Sequence, residues 1–418
     1  MKILHLSDSD GGGAGRATLR LHQGLQEFGV DSQMLVQFND SDDKAVLSPQ
    51  TNIGKIIAKL KVTERLDALP LQFYRQRNSS DFSPEWLPGG IGSKVIKLQP
   101  DVINLHWICH GYLPIETVAR FKQPLVWTLH DMWAFTGGCH YSQECDRYTD
   151  SCGACPILDS QQSWDLSRWV WQRKAKAWKN LNLTIVTPSS WLAKCANSSS
   201  LFKNLRIEVI PHGLDTQKYK PIARQVAREL MNLPQDKYLV LFGAMYVNSD
   251  RRKGFHLLQP ALQSLSKSGW QEQIELVVFG ASQPKNPIDV GFKSHYVGRL
   301  HDDIALALIY AAADVMVVPS TQEAFGQTAS ESLACGTPVV AFNATGLKDI
   351  VDHQQNGYLA QPYQIEDLAQ GIAWVLEDRE RHQKLCDRAR QKAEQEFTLE
   401  IQARRYECLY SDLRSSSM

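Results

Sequence analysis

Two carboxylates eight residues apart, Glu323 and Glu331, stand in the run Glu323-Ala324-Phe325-Gly326-Gln327-Thr328-Ala329-Ser330-Glu331. The chain continues Ser332-Leu333-Ala334-Cys335-Gly336-Thr337-Pro338-Val339-Val340. The first carboxylate precedes a glycine turn; the second lies a turn or two into the helix expected to follow. Such a helix start presents free backbone N–H groups and the positive end of the helix dipole, which suits an anion. A phosphate could rest on the N–H groups of Phe325, Gly326, Gln327 and Thr328 while the two carboxylates clamp neighbouring hydroxyls. A phosphate flanked by hydroxyl-rich groups is the chemistry of a nucleotide sugar. The same spacing alone would suit two exposed glutamates on an ordinary surface helix, so the surrounding residues carry the argument.

Three further groups could serve such a ligand. Asp250-Arg251-Arg252-Lys253-Gly254-Phe255-His256 follows an apolar run ending at Phe242-Gly243, and cations there could neutralise a departing diphosphate. His130, in Trp127-Thr128-Leu129-His130-Asp131-Met132, ends an apolar strand; it could bond a sugar hydroxyl or carry a proton near neutral pH, with Asp131 orienting its ring. Gly11-Gly12-Gly13-Ala14-Gly15 follows the first strand and precedes an amphipathic helix expected to begin near Arg16; Gly12 and Gly13 would allow close approach to a ligand. The same glycines could serve NAD in an oxidoreductase, but the Gly-x-Gly-x-x-Gly frame is absent and no acidic residue ends a clear second strand. Cys139, Cys145, Cys152 and Cys155 form Cys-x5-Cys-x6-Cys-x2-Cys. Four thiolates could hold a structural zinc, with His140 as a further candidate ligand; free thiols or a disulfide pair are the alternatives.

These groups need a scaffold. The chain has 418 residues, beyond a usual single core, so two domains are expected. Hydrophobic residues at 43% and charged residues at 22% indicate a globular protein. Lys plus Arg equals Asp plus Glu at 45 each, so global charge gives no argument for nucleic acid. No apolar run is long enough for a membrane span, and Met1–Asp8 reads as a buried first strand rather than a secretory signal. Nine cysteines without such a signal predict reduced thiols and a cytoplasmic protein. Short apolar runs at Lys2–Leu6, Ser32–Val36, Val102–Leu105, Leu125–Leu129 and Thr184–Thr187 alternate with helical stretches. So do Tyr238–Phe242, Ile274–Phe279, Ser294–Val297, Val315–Val318 and Pro338–Ala341. That alternation predicts an α/β fold of parallel sheets covered on both faces, with ligands at the carboxyl ends of the strands. The expected division is 1–212 and 213–395, with a final helix at about 396–413 and a disordered Ser415–Ser417 tail. Ile53–Leu69 and Trp169–Lys179 mix apolar and basic residues and could lie against an anionic membrane surface.

The run from Glu323 to Val340 resembles the Glu-x7-Glu motif of the retaining glycosyltransferases of family 4. Their fold is GT-B, two Rossmann-like domains facing a central cleft. The resemblance implies that Glu331 holds ribose hydroxyls and Glu323 the hydroxyls of the transferred sugar. Lys253, with Arg252 or Arg251, would stabilise the nucleoside diphosphate, and His130 would bind the sugar from the other domain. Gly12 and Gly13 would lie against the donor phosphates or the acceptor. Val297-Gly298-Arg299-Leu300 resembles the base-binding turn, with Gly280 and Ala281 also near the base. Two departures stand out: Ala244-Met245 where the family often has an Arg after the strand glycine, and His212 where it has an Asn. The cysteine loop, preceded by Trp133-Ala134-Phe135-Thr136-Gly137, resembles a subgroup of exopolysaccharide and colanic-acid-type transferases.

The implied reaction moves a hexosyl group from a UDP- or GDP-sugar to a glycan or polyprenyl-linked acceptor by front-face transfer. It needs no catalytic cofactor; a zinc in the cysteine loop would be structural. The implied setting is the cytoplasm, with peripheral contact at the inner face of the plasma membrane. Alternatives are a GT-B epimerase acting on a nucleotide sugar and an inactive scaffold of this fold.

Overall fold

The computed structural model describes residues 1–48, 62–78, 80–243, 250–285 and 288–416, and all that follows concerns those residues. They form two compact units, 1–213 with 399–418 and 214–398. In the first, strands β1 (Lys2–Leu6), β2 (Asp31–Leu35), β3 (Val46–Leu47), β4 (Val102–Leu105), β5 (Leu125–Thr128), β6 (Leu183–Thr187) and β7 (Arg206–Val209) make one sheet ordered β3-β2-β1-β4-β5-β6-β7. In the second, β8 (Tyr238–Gly243), β9 (Ile274–Phe279), β10 (Ser294–Gly298), β11 (Val315–Val318), β12 (Val339–Phe342) and β13 (Gly357–Ala360) are ordered β10-β9-β8-β11-β12-β13. All pairings within both sheets are parallel. Each sheet runs outward in both directions from its first strand, so each has a topological switch point where loops diverge and ligands can enter.

The apolar runs form strands because both sides of each strand are buried. In the second unit, Leu239, Leu241, Met316, Val318, Val339 and Ala341 belong to one core cluster. The alternate residues Val240, Phe242, Val315, Val317, Val340 and Phe342 belong to another. The first face is covered by helices Asp303–Ala312, Gln327–Ala334 and Arg379–Glu396, the second by Phe255–Leu265 and Ile365–Leu376.

In the first unit, helices Gly12–Glu27 and Leu399–Ser415 pack on each other and share a core with Ile3, Val102, Val126 and Val186. Tyr406 and Tyr410 anchor the last helix: Tyr406 Oη lies 2.9 Å from Thr128 Oγ1, and Asn104 Nδ2 donates to Tyr410 Oη at 2.7 Å.

Several sequence expectations need correction. The first helix begins at Gly12, not near Arg16, so Gly12 and Gly13 are its first residues. Strands β3, β7 and β13 fall outside the apolar runs of the sequence. Val46–Leu47 has two residues, and Arg206–Val209 is a half-exposed edge strand; both are too short or too polar to signal burial. Ser415 ends a helix instead of opening a disordered tail, its Oγ donating to the Ser411 carbonyl. In the basic stretch Trp169–Lys179, Lys174 and Trp178 are buried and Arg173 pairs with Glu116 at 2.8 Å, while Trp169, Lys176 and Lys179 are exposed. Ile56, Ile57 and Leu60 of the other basic stretch lie outside the described residues. No helix among the described residues is long and apolar enough to cross a membrane.

Candidate functional site

The loops after β8 and β11 flank the switch point of the second sheet, and they carry Lys253 and Glu323. Lys253 ends a short 3-10 turn, Arg251–Lys253, opened by Asp250, whose carboxylate accepts from the Arg252 N–H at 3.0 Å. Gly254 then takes φ +74°, and a Cβ there would stand 1.8 Å from the Pro319 carbonyl oxygen. Only glycine lets these two loops approach so closely. The approach puts Lys253 Nζ 2.6 Å from Glu323 Oε1, with Ser320 Oγ donating to the same oxygen at 3.0 Å.

Burial pushes the Glu323 carboxyl up. The charges of Lys253 and Arg252 and the hydrogen bonds from Lys253 and Ser320 outweigh it and bring the pKa down to about 2. Arg252 is more constrained than expected: it bonds Asp250 Oδ2 at 2.8 Å and the Gln322 carbonyl at 2.9 Å, and its NH1 lies 3.4 Å from Glu323. The Ala244-Met245 departure lies outside the described residues.

Gly326 follows with φ +113°, and a Cβ there would press on Leu347 at 2.7 Å. It is the N-cap of helix Gln327–Ala334 and, being glycine, offers no capping side chain of its own. Phe325 turns its ring into the core against Phe397, so only its backbone can meet a ligand. Glu331 is only 4% exposed and accepts from Tyr310 Oη at 2.9 Å. Glu323, Gly326 and Glu331 thus occupy one strand–loop–helix segment. Gly298 sits at a bulge ending β10, with φ +71°, and its carbonyl accepts from Gly280 N at 2.7 Å. Arg299, next to it, is exposed.

In the first unit, Gly12 has φ +68° and open space where a side chain would be, and no side chain caps its helix. The sequence contains Asp8-x-Asp10 and Asp40-x-Asp42 after β1 and β2. Asp10 staples these loops, accepting from Asp40 N at 3.0 Å and Ser41 N at 2.8 Å.

His130 lies two residues past the end of β5, and its partners differ from those expected. Asp131 does not orient it; that carboxylate accepts from Trp107 Nε1 at 2.7 Å and the Trp133 N–H at 2.8 Å, and lies 2.6 Å from His140 Nδ1. His130 Nε2 instead lies 3.0 Å from His106 Nδ1, and the His212 ring stacks on it at 5.0 Å. Burial lowers its pKa to about 4, against a smaller raising effect of Asp131, so it is neutral at physiological pH and does not store a proton there.

The four cysteines lie within electrostatic reach of one another. Cys139 and Cys155 turn into an apolar cluster with Leu71, Phe82, Ile157 and Leu158, while Cys152 Sγ accepts from the Gly137 N–H at 3.1 Å. Burial raises the thiol pKa of Cys139 and Cys155 and pushes Cys152 up to about 12. His140 is held between Asp131 and Ser83. Among the described residues no group of three or more His, Cys, Asp or Glu side chains stands in a metal-holding arrangement.

Two Rossmann-like α/β units of this kind make the GT-B class of fold. Residues 11–218 match the profile of Glycosyltransferase Family 4 and residues 228–394 that of Glycosyl transferases group 1. The chain belongs to the GT-B glycosyltransferases built from these two domains.

It is 34% identical over 201 residues to a D-inositol 3-phosphate glycosyltransferase of Xylanimonas cellulosilytica, covering 44% of this chain and 46% of the relative. The chain thus spans about half the length of that relative. It is 24% identical to the putative colanic acid biosynthesis glycosyl transferase WcaC of Escherichia coli, over 81% of this chain and 82% of WcaC. Among solved structures it resembles sucrose-phosphate synthase from Thermosynechococcus elongatus, with TM-score 0.68, 20% identity and full coverage of both chains. It also resembles Anabaena HepE in complex with UDP and glucose, with TM-score 0.63, 18% identity and coverage of 98% of this chain and 100% of HepE. These likenesses establish the fold.

Proposed function

We propose that this protein is a retaining glycosyltransferase that moves a hexosyl group from a UDP- or GDP-sugar to a glycan or lipid-linked glycan in surface or extracellular polysaccharide synthesis. One observation carries the reading: Lys253 Nζ meets Glu323 at the switch point of the second sheet, in the loop that leads into the helix starting at Gln327. The diphosphate would take the helix N–H groups and draw Lys253 away from Glu323. Glu323, kept ionised, would then accept from hydroxyls of the transferred sugar. Glu331 would accept from the ribose, with Tyr310 fixing its carboxylate. Arg252 would act chiefly by holding the 250–253 turn and adding positive charge.

In this reading the second unit binds the donor, with the turn at Gly298 and Arg299 near the base, and the first binds the acceptor. His130, Gly12 and Gly13 would be the ligand-binding groups of the first unit. No catalytic cofactor is required, since Lys253 and the helix start supply the charge that a divalent ion would bring to the leaving group. Similarity to WcaC over most of both chains favours a polysaccharide acceptor, and the reaction would run in the cytoplasm, at the inner face of the membrane if the acceptor is lipid-linked.

The test is a thermal-shift panel of UDP, GDP, ADP and their hexose conjugates without added metal. A ligand that binds only the folded chain raises the midpoint. One nucleotide should give a clear shift, and Glu331→Ala should reduce it. If no nucleotide shifts the midpoint, the donor reading fails; if Glu331→Ala leaves donor affinity unchanged, the ribose assignment fails.

A further inference from the structure

His130 is the half-buried end of a line of imidazoles. His5 Nδ1 lies 2.9 Å from His106 Nε2, and His106 Nδ1 lies 3.0 Å from His130 Nε2. The line follows from sheet register. His5 is opposite Asn104 and Leu105 is opposite Trp127, so each histidine stands one strand further over and nearer the carboxyl edge than the last. Side chains alternate faces along a strand, so Ile3 and His5, Asn104 and His106, Thr128 and His130 share one face. His5 and His106 are buried, and burial lowers the pKa of all three imidazoles. Every link is therefore between neutral rings, in which one nitrogen donates and the other accepts.

With one proton per ring, the two links must point the same way. If His5 Nδ1–H donates, then His106 Nδ1–H donates and His130 Nδ1 carries the hydrogen. If the line runs in reverse, His5 Nε2 carries the hydrogen. That atom is buried with no hydrogen-bond partner. A buried N–H without an acceptor is rarer and costlier than an unused lone pair. We propose that His5 and His106 are positioning residues that lock His130 as the Nδ1–H tautomer, so that it offers a hydrogen-bond donor, not a base, to a sugar or phosphoryl oxygen. The ligand in this statement rests on the donor reading above; the tautomer does not.

Nitrogen-15 NMR of histidine side chains in the intact, ligand-free protein tests the tautomer directly. His130 should show a pyrrole-type Nδ1 and a pyridine-type Nε2; the reverse assignment overturns the proposal. His5→Phe removes the first donor and should give His130 a mixed tautomer population while the other amide resonances stay in place. An unchanged His130 in that variant shows that the line does not set its tautomer and overturns the positioning role. Should His5→Phe fail to fold, the wild-type assignment still decides.

The ligand is tested apart, by titrating UDP-glucose and GDP-mannose into His130→Asn and His130→Gln. Asn keeps an N–H near the Nδ1 position, whereas Gln keeps one near Nε2. Loss of one neutral hydrogen bond should weaken binding roughly two- to tenfold in His130→Gln and less in His130→Asn. Equal weakening in both variants overturns the assignment of Nδ1 as the ligand-facing donor. If wild type binds neither sugar nucleotide, the donor reading fails while the tautomer result stands.

Discussion

Replacing Lys253 with Met should expose the electrostatic cost of the Glu323 site. In the folded chain the Glu323 carboxyl is lowered from 4.5 to about 2, which corresponds to about 3 kcal/mol in favour of its ionised form. Lys253 shares that work with Arg252 and Ser320, and its side chain is 34% exposed, so solvent screens it. Lys253→Met should therefore cost the second unit about 1–2 kcal/mol at pH 7, between the values for exposed and buried pairs. The sign follows from the depressed folded-state pKa: the stabilisation is fully present above pH 4.5 and is lost as pH falls toward 2.

The gap between wild type and variant should accordingly hold from pH 7 to 5 and narrow from pH 4.5 downward. Hydrogen exchange of peptides spanning 250–254 and 319–331, followed across denaturant at each pH, reads the second unit alone. A gap of the same size at pH 7 and pH 3 would refute the argument, and so would no gap at pH 7. On the donor reading, the variant should also bind the UDP- or GDP-sugar that wild type takes more weakly than wild type does.

Gly254→Ala places a Cβ against the Pro319 carbonyl at a left-handed φ, so it should destabilise the second unit by at least about 2 kcal/mol and weaken nucleotide binding; an unchanged unfolding midpoint would count against the close approach of the two loops. Lys174 is buried, its ammonium donating to the Trp133 and Thr136 carbonyls and lying 3.5 Å from the centre of the Trp133 ring. Burial lowers its pKa from 10.5 to about 7, so the unfolded chain takes up the proton between those values and stability should rise with pH across that window. Lys174→Met should flatten this rise in thermal melts of the first unit.

Much of the fold was legible because parallel strands buried on both sides leave uninterrupted apolar runs: Val315–Val318 and Val102–Leu105 were readable to the residue. The short edge strands were not, because an edge strand has little burial to enforce an apolar pattern. The chemistry of the second unit was also local in sequence. Glu323, Gly326 and Glu331 lie on one strand–loop–helix segment, so their spacing already implied their grouping.

Residue types and spacing by themselves determined the two α/β units, the glycine turn before the second glutamate, and the cations that follow Gly243. Tertiary structure decided who pairs with whom. It tied Lys253 to Glu323 across seventy residues, gave Asp131 to His140 and Trp107, and turned Cys139 and Cys155 into an apolar cluster. It also aligned His5, His106 and His130, which are separated by 101 and 24 residues. The alternation that puts those histidines on one face is written in each strand, but the order and register that bring the strands side by side come from packing over the whole sheet. Local sequence sets which side chains a segment offers; only the folded chain fixes the distances at which protons and charges are shared.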